Sequence, residues 1–446
     1  MRHPSLLVPF VLLVLGAALA PAQSADALLA EGERLQGDGN HAEAYAAFRT
    51  LILEHDAATG AEVAPALRHA VRALGRLNRT HEVDALLENA VTRHGDDFAV
   101  LTTVAGLYRS AQHWGFLIAG EFRRGHHRGG GEQVSAEERD RVRALQLLRR
   151  AMPLAPAAAG SFWLQVADTL AQGRPRWRLQ ALTDLDTLPD YAPMRYGRGG
   201  SQGAPVDAEG DPVLFAVPAE WAAAASDGER WRWCLMQASE AGQRGQALQR
   251  RAATAFAAFG VHTLAHGGGG LPVAATDDGD GDGAAELGPW TVHTLAEDEV
   301  LARLASGARR FRLGPEHHPI ALYRALAGID GFQRRAARSL AQIFENRRQY
   351  PRAAEHWGRA GNAAAVAQIT GKWGRFARAT TRPAGTAVTL DYVFRNGTTL
   401  KLQAWRVDVD GLLAHVRDTL REHRDGQLDW QELEVEHLGR RLVTRG

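Results

Sequence analysis

The chain has 446 residues and a formal net charge of +1 at pH 7, with 52 Lys and Arg against 51 Asp and Glu. That balance implies no general attraction to nucleic acid or to an anionic membrane surface. The length allows about three domains with an ample core, and the single cysteine, Cys234, excludes a disulfide within the chain.

Residues 1–22 read as an export signal. Arg2 supplies a short positive region, and Leu6 to Ala20 is almost wholly apolar, with Pro9 inside it. Ala20-Pro21-Ala22 fits the small-x-small cleavage pattern, so the mature chain is expected to start at Gln23. The apolar run is too short for a comfortable transmembrane span; an uncleaved anchor is the alternative. The cations of the body are almost all arginine, Lys372 and Lys401 being the only lysines.

Residues 23–188 read as helical hairpins, clearest from 26 to about 125. Gly32, Leu35, His41, Ala44, Phe48 and Leu51 alternate small and large side chains across a turn at Gly37-Asp38-Gly39-Asn40. A weaker copy has Ala73 and Ala85 in place, with Arg76 and Asn89 where bulk is wanted. Another places Ala105, Tyr108 and Trp114, then fails at Glu121. His126 to Gly131 reads as an exposed loop. Ser135 with Glu138 reads as a capping box that opens a helix to about Met152. Phe162–Ala171 and Trp177–Leu185 read as the next helical pair.

Residues 189–265 read as an irregular connection, rich in Gly, Pro and Asp to Pro218, followed by a helical segment. Ser226 with Glu229 is a second capping box, and Trp231, Leu235 and Ala238 share one helix face. Residues 266–290, from the His266 glycine run to Asp282, are too polar and glycine-rich to order themselves. They read as a flexible linker and a domain boundary. In 291–380, Thr294 with Glu297 reads as a third capping box that opens helices. In 381–446, Val388, Leu390 and Tyr392 alternate with Thr389, Asp391 and Val393. Asn396-Gly397 supplies a two-residue hairpin turn to Leu400, Leu402 and Ala404. A helix carrying Leu412, Leu413, Val416 and Leu420 follows, and Leu442 to Gly446 reads as a strand.

Residues 339–360 carry the strongest pattern. Ala341 and Phe344, the turn residue Tyr350, then Ala353, Trp357 and Ala360 stand at the offsets of Gly32 through Leu51. This side-chain code resembles a tetratricopeptide (TPR) helical hairpin. The resulting expectation is a mostly α chain: a TPR-like helical-hairpin array, an α-solenoid, followed by a small C-terminal α+β segment. A generic helical bundle is the alternative.

Candidate chemistry is sparse. Gly199-Gly200-Ser201-Gln202-Gly203 matches the hydrolase elbow pattern, but that elbow needs a strand before the serine and a helix after it. Arg198 and Ala204-Pro205 flank it here, so a loop is expected. Asp278, Asp280 and Asp282 with Gly283 resemble the opening of a calcium loop, yet Pro289 occupies position twelve, which needs Glu. His317 and His318 are expected in an exposed loop. No P-loop or dinucleotide fingerprint occurs. No catalytic, metal or cofactor residue is assigned, and no cofactor is expected.

Several stretches resemble the N-terminal region of bacterial, planctomycete-type alpha-2-macroglobulin-like proteins. They are Ile118–Phe122, Arg139–Leu147, Thr187–Tyr191, Asp227–Trp233, Ser339–Tyr350, Phe394–Gly397, Gln427–Trp430 and Gly439–Val443. The resemblance implies helical repeats ahead of β-sandwich domains in a protease trap. The family thioester motif reads Cys-Gly-Glu-Gln, whereas this chain has Cys234-Leu235-Met236-Gln237 inside a capped helix, so a buried core cysteine is expected. The functional expectation is an exported, periplasmic or extracellular, non-catalytic interaction module that does not inhibit proteases by itself. Its partner is expected to be a protein, either separately encoded macroglobulin domains or an envelope protein. Neither nucleic acid nor a membrane span after signal cleavage is expected. A hydrolase using Ser201 is the alternative.

Cleavage after Ala22 is testable by intact-mass analysis of protein recovered from the envelope. The mature chain should begin at Gln23; a chain that keeps Met1 would replace the cleaved signal by an N-terminal anchor.

Overall fold

The computed structural model describes residues 24–172, 179–194, 203–261, 292–376, 385, 387, 389–401 and 408–422. The segments expected to be a signal (1–22), a linker (266–290) and a strand (Leu442–Gly446) lie outside the described residues. The described residues are mostly helical, with a few small sheets. They form two compact units, Met1–Ala363 and Ala364–Gly446.

The helices of the first unit are α1 (Ala25–Gly37), α2 (His41–Leu53), α3 (Gly60–Arg76), α4 (Val83–His94), α5 (Phe98–Ser110), α6 (Glu137–Ala151), α7 (Gly160–Ala171), α8 (Asp227–Ala238), α9 (Arg244–Phe259), α10 (Pro319–Ala327), α11 (Gln333–Asn346) and α12 (Tyr350–Arg359). Each packs mainly on its neighbours in sequence. α1 starts where the Ser24 side chain accepts the Ala27 N–H. It ends in a Schellman turn. The Asn40 N–H donates to the Leu35 carbonyl (2.9 Å) and the Gly39 N–H to that of Gln36 (3.3 Å), with Gly39 at φ +84°.

The same two bonds close three more helices. Arg79 returns to Leu74 over Asn78, Gln349 to Phe344 over Arg348, and Asn362 to Trp357 over Gly361. The turning residue has positive φ in every case. This turn sets the register of the following helix. Ala44 and Phe48 follow Leu35 as Ala353 and Trp357 follow Phe344, and all four are buried. The same count from Leu74 reaches Val83 and Leu87, which are buried, whereas Ala85 and Asn89 are exposed. The weaker copy is therefore present but two residues out of the register expected for it. The α1–α2 approach is close at Gly32: a Cβ there would overlap the Phe48 ring, which is itself fully buried.

The hairpin pattern stops at α5. Trp114 opens a sheet of β1 (Trp114–Ile118), β2 (Glu121–Arg124), β3 (Glu132–Ser135) and β4 (Ala192–Pro193), in the order β2-β1-β3-β4 and antiparallel throughout. Ala119 and Gly120, both at positive φ, make the tight turn that suits a two-residue hairpin. Strands therefore replace the expected third helical copy. Ser135 accepts from the Glu137 N–H while Glu138 pairs with Arg141, so no capping box forms there. The helix expected over 177–185 is absent from Ala181 onward. Its backbone is used instead by α8: the Asp227 N–H donates to the Ala181 carbonyl, and Asp227 accepts from the Thr183 N–H.

Thr294 and Glu297 open no helix. They precede the hairpin β5 (Glu299–Leu304) and β6 (Gly307–Arg312), and Glu297 pairs with Arg324 and Arg352. Described residues on both sides of 266–290 belong to the first unit: Arg251 on α9 donates to the Glu316 carbonyl (2.9 Å), and Arg335 on α11 to Gln249 (2.7 Å).

The second unit holds α13 (Ala363–Thr370), β7 (Trp373–Phe376), β8 (Tyr392–Arg395) and α14 (Val409–Glu422). β8 pairs with β7, upstream. Asn396 does not turn a hairpin toward Leu400: its Nδ2 donates to the Ile369 and Gly371 carbonyls at the end of α13. Residues 402–404 lie outside the described residues.

Gly32→Ala is expected to destabilise the chain by about 1–3 kcal/mol through overpacking against Phe48, although alanine favours a helix by about 1 kcal/mol. Gly75→Ala, at an exposed α3 position with open space around it, should stabilise by up to about 1 kcal/mol. Urea midpoints of the two variants must move in opposite directions; a stabilised Gly32 variant would refute the close approach.

Candidate functional site

Ser201 and the acidic trio Asp278, Asp280 and Asp282 lie outside the described residues. Among the described residues, no group of three or more His, Cys, Asp or Glu is placed to hold a metal ion. Nor is any helix among them long and apolar enough to cross a membrane.

Cys234 is fully buried in α8, beside Trp231, Leu235 and Ala238 on the core face. Burial pushes its thiol well above the ordinary range, so it carries little thiolate. Gln237 lies on the half-exposed side, and its amide donates toward Glu240. Three residues apart, the two are neighbours on the helix surface, but the thiol is sealed in the core while the amide is turned to Glu240.

The histidine pair departs from expectation, for neither member sits in an exposed loop. His318 is 2% exposed and caps α10. Its Nδ1 accepts the Ile320 N–H (3.2 Å), so its Nε2–H is left to donate to the Glu299 carbonyl (3.3 Å). His317 is half-buried, and its Nδ1 accepts from Arg232 Nη1 at 3.3 Å.

Two surface features stand out. In the second unit, the β7–β8 register puts Phe376, Tyr392 and Phe394 on one face of the ribbon. Gly374 leaves room for the Tyr392 ring to lie across it. The rings of Phe376 and Tyr392 meet at 5.2 Å, and those of Tyr392 and Phe394 at 6.2 Å. Phe394 is 61% exposed, and Trp373, Phe376 and Val393 are about half exposed. In the first unit, a cleft of about 60 Å³ lies between α8, α9, the segment 204–215 and the start of α10. Phe215, Trp231, Ala255 and Phe259 form apolar walls, and Arg232, Arg251 and His317 line it as well. The sequence pattern did not single out these arginines, because each sits within an ordinary amphipathic helix.

Neither a family model nor a curated protein matches this chain.

His318 gives the fold a pH dependence. Burial lowers its pKa from 6.5 to about 4; the hydrogen bond to the Glu299 carbonyl opposes this, Arg347 and Arg324 add to it, and Asp298 opposes it. The unfolded chain therefore binds the proton first. Stability from this group is present above about pH 6.5 and is lost as pH falls toward about 4, by at most about 1.4 kcal/mol per unit. His318→Asn keeps a capping oxygen and cannot titrate in this range. Urea midpoints at about pH 7 and about pH 5 should differ less in the variant than in the parent; equal slopes would remove His318 as the cause.

Proposed function

We propose that the chain is an exported, non-catalytic helical-repeat module that binds another protein. Its helices make a TPR-like array, and its kinship is with the alpha-2-macroglobulin-like proteins whose motifs it resembles. The observation that carries this reading is the recurrence of one turn. Helices closing at Leu35, Leu74, Phe344 and Trp357 use the same pair of backbone bonds over a positive-φ residue. Repetition of one supersecondary unit builds arrays in which each repeat contacts its neighbours and leaves an extended surface for a partner.

The aromatic face of β7–β8 supports the same reading. Contiguous exposed apolar surface marks contact sites, and a lone two-stranded ribbon is marginal in water. A partner that covers Phe376 and Phe394 removes apolar area from water and extends the sheet by strand addition. Macroglobulin-type domains encoded separately, or an envelope protein, fit that role. Inhibition by the chain alone is not part of the reading, because a trap needs a bait segment, a thioester and enclosing domains.

A photo-crosslinking residue at Phe394, installed in the exported protein, tests this. Mass spectrometry should find a macroglobulin-type or envelope protein joined at position 394, and none when the crosslinker replaces the exposed Glu43. Equal labelling at both sites, or none at 394, would refute the contact surface. Incubation of the purified chain with a protease should leave no covalent high-mass complex.

A further inference from the structure

The cleft of the first unit is held open by its own framework. The segment 204–215 is bonded to the β5–β6 hairpin: the Ala204 N–H donates to the Arg303 carbonyl (2.8 Å) and the Ala305 N–H to that of Ala204 (2.7 Å). The Val213 N–H returns to Pro205 (3.0 Å), and Asp211 pairs with Arg309. Phe215 then rests its ring directly on Gly228, where a Cβ would overlap it. The wall is therefore built before any ligand arrives, which lowers the cost of binding.

One side of the cleft is cationic and incompletely neutralised. Arg232 Nη1 donates to the Phe215 carbonyl (3.1 Å) and to His317 Nδ1 (3.3 Å). Both acceptors are neutral, since an imidazole that accepts at Nδ1 carries its proton on Nε2. Arg251 Nη2 donates to the Glu316 carbonyl, and its Nε is buried with no hydrogen-bond partner. Among the described residues, neither guanidinium forms an ion pair; the Glu316 side chain is 69% exposed and acts through space. Burial accordingly lowers Arg232 to about 10. By contrast, the buried Arg124 is held by two aspartates, and Arg250, one residue before Arg251, is paired with Asp168.

An under-neutralised pair of arginines beside an apolar wall is a receptor for an amphipathic anion. The volume holds about four to six water-sized groups, enough for the four carbons of an isobutyl group with its carboxylate at the arginines, and too little for a nucleotide. We infer that the cleft binds a small branched apolar group bearing a carboxylate. The apolar body packs against Phe215, Trp231, Ala255 and Phe259, and the carboxylate pairs with Arg232 and Arg251. Two sources present this chemistry: a free branched-chain acid, and the C-terminal residue of a polypeptide ending in leucine.

Isovalerate and its neutral isostere isovaleramide, titrated into the full chain by calorimetry or ligand-observed NMR, test the assignment without any variant. The acid should bind at least about tenfold tighter than the amide, a difference of about 1.4 kcal/mol. Arg251→Gln should weaken the acid by a similar factor. Ala258→Leu, which fills the apolar end without touching a hydrogen bond, should abolish binding while the thermal midpoint shows the chain still folded. Equal binding of acid and amide, absence of binding to both, or an unaffected Arg251→Gln protein would overturn the inference. A pentapeptide ending in leucine, compared with its C-terminal amide, separates the sources. Tighter binding of the free-carboxylate peptide than of isovalerate assigns the ligand to a polypeptide tail, and the reverse order to a free acid.

Discussion

A backbone N–H returning to the carbonyl five residues earlier sets the spacing of the helices at Asn40, Arg79, Gln349 and Asn362. The closure needs one residue at positive φ, supplied by Gly39, Asn78, Arg348 and Gly361. Glycine and asparagine enter that region easily, whereas an arginine costs about 1–2 kcal/mol. The chain keeps Arg348 there because the next helix must begin where Ala353 and Trp357 reach the core. The turn thus acts as a ruler. Once the closing carbonyl is placed, the buried positions of the following helix are fixed, and only residues that fit that gap are tolerated. Gly32 under Phe48 is such a case.

Where the chain passes from helices to strands, buried charge holds the change in place. Arg124, at the end of β2, donates all five of its N–H groups: to Asp84 on α4, to Asp140 on α6 and to the Gln112 carbonyl. Its pKa is raised even though burial opposes the charge, because the two carboxylates outweigh desolvation. A network satisfied to that degree fixes a sheet between helices; the same charges left half-paired would cost several kcal/mol. The segment before α8 is latched in a similar way. Asp227, wholly buried, accepts from the Thr183 backbone and hydroxyl, while Arg141 and Arg230 donate to Thr183. Neither cluster resembles a catalytic arrangement, since the carboxylates are engaged by fixed donors.

What was legible in the sequence follows from this division. The small-large alternation of Gly32 to Leu51 and Ala341 to Trp357 is a local code, and the structure buries its helix positions Ala44, Phe48, Ala341, Phe344, Ala353 and Trp357, while the turn residue Tyr350 stays 45% exposed. The core face of Trp231, Leu235 and Ala238 was legible for the same reason. The strands were not. Trp114 stands at a helical offset from Tyr108, and only its pairing with Ser135, across the loop, makes it a strand residue. The acidic members of the expected capping boxes at Ser135 and Thr294 are engaged by arginines instead: Glu138 by Arg141 one turn along its own helix, and Glu297 by the distant Arg324. Asn396-Gly397 has the composition of a hairpin turn, yet the carbonyls at the end of α13 claim its side chain. His317 and His318 look like loop residues until β5 and α8 supply their partners.

The cleft shows the same dependence at its sharpest. Arg232 occupies an amphipathic helix where nothing in the local pattern marks it. Its position follows from Phe215, whose carbonyl it meets, and Phe215 is placed by the bare Cα of Gly228 one helical turn earlier. The 204–215 segment that carries Phe215 is irregular, and hydrogen bonds to Arg303 and Ala305 hold it. A glycine on one helix, a loop and a hairpin thus converge to leave two guanidiniums without an ion-pairing carboxylate among the described residues. An arginine held this way pays desolvation that a structural ion pair would offset. The framework retains it at Phe215 and His317 by hydrogen bonds to neutral acceptors, which orient the charge without cancelling it. That is the condition under which a buried cation stays available to an incoming anion.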